Sequence, residues 1–338
     1  MFRRILVPLD GSERAACALP VAARLAQASG GSITLLRVVS SPIEFTQQTA
    51  GPPALMQEAS GADRIRAAGY LARMGAADVL AGVATTTEIF KGAPAEIILT
   101  TARSQRVDII IMCSHGYTGM TRRVLGSVTE RVAFHTPVPV LVLREGGPVP
   151  VGPHPDAARP LRVLVALDGS ARAEAAIGPA ASLIAALAAS AQGSLHLTQV
   201  VKAATAKSEE KDLDESSTHK AKEYLSSTAD QLREGHIAPA VLDLKLPITW
   251  SVALDTDVAA ALVRLAESGE RAGEPGVPAG CDIIAMATHG LSSVQHWPIG
   301  SITGRVLKAT RLPLLVVRPL DMMERSNFTW DNTNLPAI

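Results

Sequence analysis

Aromatic side chains are scarce in this chain: three Trp, three Tyr and five Phe make up 3% of 338 residues. So few stacking platforms argue against a protein that tracks single-stranded nucleic acid. Net charge is missing as well, because 32 Lys and Arg balance 32 Asp and Glu. That removes any strong global pull toward duplex nucleic acid or an anionic membrane surface. Three cysteines, Cys17, Cys113 and Cys281, are scattered and form no Cys-x-x-Cys. Neither a disulfide framework nor a zinc site is expected, and a reducing compartment is. No run of about 18 uncharged apolar residues occurs, so no membrane span is expected. The chain moves from Met1-Phe2-Arg3-Arg4 straight into Ile5-Leu6-Val7 without a leader-type apolar stretch. The expectation is a soluble, cytoplasmic protein.

What the chain does have is apolar residues, 47% of the total, enough for two ordinary cores. It also has an internal repeat. RILVPLDGS at 4–12 matches RVLVALDGS at 162–170 in seven of nine positions. The segments 108–128 and 282–302 share eight of 21 positions, and 129–144 and 303–318 share eight of 16. The three blocks keep their order while the offset grows from 158 to 174, so the second copy carries insertions. The expected organisation is a first domain at 1–145, a Gly- and Pro-rich linker at 146–160, a second domain at 161–319, and a tail at 320–338.

Within each copy, short Val-, Ile- and Leu-rich runs alternate with Ala-rich segments of helical spacing. Strands are expected at 4–9, 33–39, 84–90, 108–112 and 139–143, with helices near 13–28, 56–82, 94–104 and 127–135. Strands in the second copy are expected near 161–167, 194–201, 242–252, 282–286 and 313–317. Nearly continuous apolar strands separated by helices predict an α/β fold: a five-stranded parallel sheet per copy, covered on both faces. The charged run Lys207–Glu234 reads as a solvated helix face.

In such a sheet, ligands bind beyond the carboxyl ends of the strands, where the strand order reverses. The duplicated polar residues fall there. Asp10 and Asp168 end the first strand of each copy, and the Ser114-His115-Gly116 and Thr288-His289-Gly290 turns follow the fourth. Gly126-Ser127 and Gly300-Ser301 then open a helix whose free N–H groups suit an anion. Two readings stay open at these positions. Asp10-Gly11-Ser12 reads equally as a turn and N-cap. Ser127 with Glu130 forms a Ser-x-x-Glu capping box needing no ligand. His115 and His289 read as loop-shaping residues, and Cys113 as a packed thiol. No Gly-x-x-x-x-Gly-Lys-[Ser/Thr] exists, which excludes a P-loop.

These residues resemble the universal stress protein family. Its nucleotide-binding members carry Gly-x-x-Gly, nine residues, then Gly-Ser/Thr after the fourth strand. This chain has Cys113-x-x-Gly116, nine residues, Gly126-Ser127, and Ala287-x-x-Gly290, nine residues, Gly300-Ser301. The openings VPLDGS and VALDGS and the closings PVLVLR and PLLVVR belong to the same resemblance. It implies two adenine nucleotide alpha hydrolase-like domains packed as a pseudo-dimer through their last strands, with further self-association left open. It implies adenine and ribose contacts from Pro8, Asp10, Val38 and Met112, and phosphate contacts from Gly116, Gly126, Ser127 and Val128. Cys113 replaces the first glycine of that loop, and Arg122 and Arg123 add cations within it. The second copy offers Ala166, Asp168, Val200, Met286, Ala287, Gly290, Gly300, Ser301 and Ile302. Where Lys91-Gly92-Ala93 precedes a helix in copy 1, copy 2 has Asp255-Thr256-Asp257, so copy 1 is expected to bind better.

The implied ligand is ATP, ADP or AMP, with or without Mg²⁺, bound rather than rapidly hydrolysed. The competing reading is a stress protein that recruits an unidentified protein partner without any nucleotide. An ATP-dependent transferase or ligase would need a signature loop after the first strand, which Gly11-Ser12-Glu13-Arg14 does not supply.

Overall fold

The computed structural model describes residues 2–39, 53–114, 125–144, 146–150, 160–188, 193–203, 208–238, 245–269, 280–289 and 301–319. In the first half the strands are β1 (Arg4–Leu9), β2 (Ser32–Val39), β3 (Ala84–Lys91), β4 (Ile109–Cys113) and β5 (Val140–Leu143). Its helices are α1 (Leu19–Ser29), α2 (Pro53–Gly75), α3 (Pro94–Ser104) and α4 (Ser127–His135). The second half contributes β6 (Leu161–Leu167), β7 (Gly193–Lys202), β8 (Ile248–Asp255), β9 (Ile283–Ala287) and β10 (Leu314–Val317). Its helices are the one-turn α5 (Ala171–Glu174), α6 (Ile177–Leu187), α7 (Ser208–Arg233), α8 (Val258–Ser268) and α9 (Ser301–Ala309).

The alternation read from sequence is therefore present, with one correction among the strands. The strand expected at 242–252 runs from Ile248 to Asp255. Pro247 just precedes it, and a proline has no N–H to give to a ladder. The first helix also starts later than expected: Ala15–Ala18 form a 3₁₀ turn, and α1 proper begins at Leu19 with Pro20 in its first turn. There the ring costs no hydrogen bond.

The larger difference concerns the sheet. The two halves form one sheet of ten strands, in the order β3-β2-β1-β4-β5-β10-β9-β6-β7-β8. Each half is parallel within itself. The junction is antiparallel, with Leu141 opposite Leu315 at its centre. The expected packing through Pro139–Leu143 and Pro313–Val317 is thus realised as direct strand pairing, which removes two exposed edges from the molecule. Every residue of β4, β5, β9 and β10 is buried, as strands covered on both faces must be.

Alternate side chains feed two apolar layers. Ile5, Val7, Ile33 and Leu35 join Val163, Val165, Leu195 and Leu197 under α1, α2, α6 and α7. Leu6, Leu36, Val38 and Met112 join Leu164, Ala166 and Met286 under α3, α4, α8 and α9. Both layers cross the junction.

Arginines reinforce the junction. Arg144, just after β5, donates from Nε to the Thr310 carbonyl at 2.8 Å and from Nη2 to that of Lys308 at 3.1 Å. Arg318, just after β10, reaches the His135 carbonyl at the end of α4. Each half thus places a guanidinium on the carbonyl-rich C-terminus of the other half's helix, where a cation is favoured. An ion pair between Lys308 and Glu130 at 3.2 Å joins α9 and α4. No described helix is long and apolar enough to cross a membrane.

Candidate functional site

In the first half, β1 lies between β2 and β4, so the connections run one way from β1 through β2 to β3 and the other way through β4 to β5. The carboxyl ends of β1 and β4 flank the point of reversal. A cavity of about 940 Å³ opens there, at the upper end of the roughly 300–1,000 Å³ usual for ligand pockets. Pro8, Asp10, Val38, Met112, Cys113, Gly126, Ser127 and Val128 all line it. These are all the first-half residues expected at a site that fall among the described ones. Gly116, Arg122 and Arg123 lie outside the described residues, as do Gly290, Gly300 and His115.

Four chain segments deliver these side chains. Val38 and Met112 project from the α3/α4 face of the sheet, and Ile98 and Pro94 of α3 complete that apolar wall. Asp10 follows β1 in a tight turn: its Oδ1 accepts from Ser12 N at 3.0 Å and from Ser12 Oγ at 2.6 Å. Ser12 Oγ in turn accepts from Ala15 N at 3.2 Å. Asp168, Ser170 and Ala173 repeat the arrangement at 3.1, 2.6 and 3.2 Å. The turn reading of Asp-Gly-Ser is therefore realised in both copies; Ser170 is the N-cap of α5, whereas in copy 1 the N-cap of the 3₁₀ turn is Arg14, which makes no side-chain cap bond. Gly11 has φ +90°, a conformation that side-chain-bearing residues rarely adopt.

At the other wall, Gly126 is the N-cap of α4 and donates to the Ser114 carbonyl at 2.9 Å. Its φ of −65° is ordinary. Proximity is what demands glycine here: an added Cβ would sit 3.0 Å from the Ser114 oxygen. Ser127 is the first helical residue, one place beyond the cap, and no side chain caps this helix. The Ser127–Glu130 capping box is thus not formed, because the serine's own N–H is one of the helix's unpaired donors instead. Thr129 Oγ1 donates to the Cys113 carbonyl at 3.1 Å, and Thr303 to that of Ala287 at 2.9 Å, so both halves tie the helix start to the preceding strand. Cys113 and Ala287 are the last residues of β4 and β9, and neither has a positive φ. Replacing the first glycine of the pattern therefore introduces no backbone strain.

The second-half counterparts take equivalent places. Ala166 and Asp168 end β6, Val200 lies on β7, Met286 and Ala287 end β9, and Ser301 and Ile302 open α9. Lys91 and Asp255 are each the last residue of their strand, although strand register sets Lys91 at the position of Leu254, one residue earlier. The copy 2 acids are compensated, however. Arg264 pairs with Asp255, and Arg305 pairs with Asp257, which also caps α8. The Arg305 partner holds the Asp257 carboxyl below its ordinary range. In copy 1 the matching Arg131 is held instead by Glu96, at 3.1 Å.

The site also contains residues that sequence reasoning missed. Arg37 alternates with Val38 on β2 and so faces the α2 side of the cavity. Its signal was a lone charge inside the apolar run Ile33–Val39. Tyr70, from α2, donates to the Ser12 carbonyl at 2.9 Å. Burial, followed by the Asp10 charge, pushes its phenol up to about 12. Burial lowers the Arg37 guanidinium, opposed mainly by Asp10.

A family model of the universal stress proteins matches residues 1–144 and again 161–318. This chain belongs to the universal stress protein family. The Thermus aquaticus "universal stress protein in QAH/OAS sulfhydrylase 3′ region" is 30% identical over 145 residues, 43% of this chain and 100% of that one. Bacillus subtilis universal stress protein YxiE is 30% identical over 150 residues, again 43% of this chain and 100% of the relative. Among solved structures, a universal stress protein from Archaeoglobus fulgidus covers 94% of this chain, with 96% of its own length aligned. It is 19% identical with a TM-score of 0.56, a likeness of fold spanning both universal stress domains.

Proposed function

We propose that this member of the family binds an adenine nucleotide in the cavity of its first universal stress domain, as a regulatory ligand rather than a rapidly hydrolysed substrate. The observation that carries the reading is convergence: β1, β2, β4 and the start of α4 bring the eight expected residues onto one cavity at the point where strand order reverses. An apolar wall of Val38, Met112 and Ile98 suits a purine, Asp10 suits ribose hydroxyls, and the N–H groups opening α4 suit phosphate. Mg²⁺, when bound, would be held through phosphate oxygens, since no group of three or more His, Cys, Asp and Glu that could hold a metal occurs among the described residues. A cytoplasmic setting belongs to the same reading.

Preference for the first domain rests on Arg122 and Arg123 in its loop, opposite His296 and Trp297 in the second. It also rests on Arg37, whose register partner in the second half is Gln199. The acids of copy 2 contribute less than their count suggests, because arginines neutralise them. The test is the nucleotide content of the purified chain, released by denaturation and resolved by chromatography. About one adenine nucleotide per chain is expected, lost in Gly126→Val and retained in Gly300→Val. Equal loss from both variants would sink the preference. An empty protein that also ignores added ATP with Mg²⁺ would favour the nucleotide-independent, partner-recruiting reading.

A further inference from the structure

The cavity is lined from both faces of the sheet. Beyond Asp10, on the opposite face of the sheet from Val38 and Met112, it continues into a second lobe. Arg37 forms one wall, and α2 the other, through Asp63, Arg66, Tyr70 and Arg73. These α2 residues recur at three- and four-residue spacing, so a single helix face looks onto the lobe. The Tyr70 bond to the Ser12 carbonyl anchors that face against the turn carrying Asp10.

The charges of this lobe are unequally spent. Arg66 is paired with Asp63. Arg73 makes no hydrogen bond or ion pair among the described residues. Arg37 is half-buried, yet its five N–H donors make a single long bond among the described residues, to the Leu9 carbonyl at 3.4 Å. A guanidinium drawn partly out of water and left with open donors is costly unless an anion completes it. Asp10 lies close enough to oppose the effect of that burial, but its Oδ1 already serves Ser12.

The second half lacks this device. Gln199 replaces Arg37 in strand register, and its buried Oε1 has no hydrogen-bond partner. Aligning Tyr224 of α7 with Tyr70 of α2 places Ser227 at the position of Arg73. The arginine pair therefore belongs to the first half's cavity and not to the fold as such.

We infer that the second lobe is an anion subsite for a phosphate carried on the ribose side of the ligand. The favoured ligand class is then an adenine nucleotide phosphorylated at both the 5′ position and a 2′ or 3′ ribose oxygen. The inference rests on the reading under Proposed function: with the 5′-phosphate at the start of α4 and the ribose hydroxyls at Asp10, a ribose phosphate projects toward Arg37 and Arg73.

Isothermal titration calorimetry of the full chain, stripped of nucleotide, tests this with AMP, adenosine 3′,5′-bisphosphate and adenosine 2′,5′-bisphosphate at one fixed ionic strength. A bisphosphate should bind at least about tenfold tighter than AMP, the scale of a charge-assisted hydrogen-bonded contact. The arm that gains identifies the ribose oxygen. The Arg37→Gln/Arg73→Ser variant, checked for an unchanged melting temperature, should reduce that preference, read as the ratio of bisphosphate to AMP affinity, to within about threefold. Should that variant melt early, Arg73→Ser alone, an exposed helix position, should still reduce the preference. If AMP binds and neither bisphosphate gains, the subsite is refuted and the nucleotide reading stands. A preference that survives in the variants refutes the placement. Failure of all three ligands, and of ATP, removes both readings together.

Discussion

Lowering the pH should destabilise this protein through His196. This side chain is 4% exposed on β7, between Thr249 Oγ1 at 2.9 Å from Nδ1 and Ser251 Oγ at 2.9 Å from Nε2. Both hydroxyls can donate or accept, so hydrogen bonding alone does not choose the charge state. Burial does, and the nearby Arg162 charge adds to it; together they lower the imidazole from 6.5 to about 4. With the folded value depressed, the neutral ring loses nothing above the unfolded pKa. As pH falls from 6.5 toward 4 the unfolded chain takes up a proton that the folded one refuses, and stability is lost. Linkage gives a loss of about 2 kcal/mol by about pH 5 and about 3 kcal/mol by about pH 4. Guanidinium unfolding of wild type and His196→Thr, the residue at the matching position Thr34, separates this from the carboxylates shared by both proteins. The variant pays a pH-independent packing cost, so the pH slope is the readout. It should be shallower in the variant by about 2 kcal/mol between about pH 7.5 and about pH 5. Identical slopes, or an NMR titration of His196 in the folded protein near its ordinary value, would mean that burial does not hold this imidazole neutral.

Two further outcomes follow from backbone and junction geometry. Gly11→Ala must carry a side chain at φ +90° and meet Arg37 at 3.2 Å, whereas Gly30→Ala, at φ +60°, meets nothing within 4 Å. The first should lower stability by about 1 kcal/mol more than the second in thermal or chemical unfolding. Arg144→Met removes both hydrogen bonds to the end of α9 and should cost about 1–3 kcal/mol. An unchanged unfolding midpoint would mean that the strand pairing alone holds the junction.

The duplication, nearly all of the strands, and the cavity wall built from Val38 and Met112 could be read from the chain alone. Those features are local: apolar runs of strand length, a proline at a helix start, and a glycine wherever the chain turns at a strand end. Gly126 was legible because its neighbours in sequence are also its neighbours in function. Its physical role was not, since the spacing cannot say that the Ser114 carbonyl sits where a Cβ would go. The same limit applies to Ser127, whose capping motif is present in the chain and unused in the helix.

The merging of two five-stranded sheets into one is a property of the folded molecule, because β5 and β10 are read identically whether their edges pair or merely pack. The tertiary structure alone brought Arg37 and α2 to the far side of the Asp10 turn. Strand alternation fixes which face Arg37 takes, but which helix covers that face, and with which of its residues, depends on packing between segments far apart in the chain. Arg144 and Arg318 show the same division: the closing motifs can be read in the sequence, yet their partners are helix ends in the opposite half.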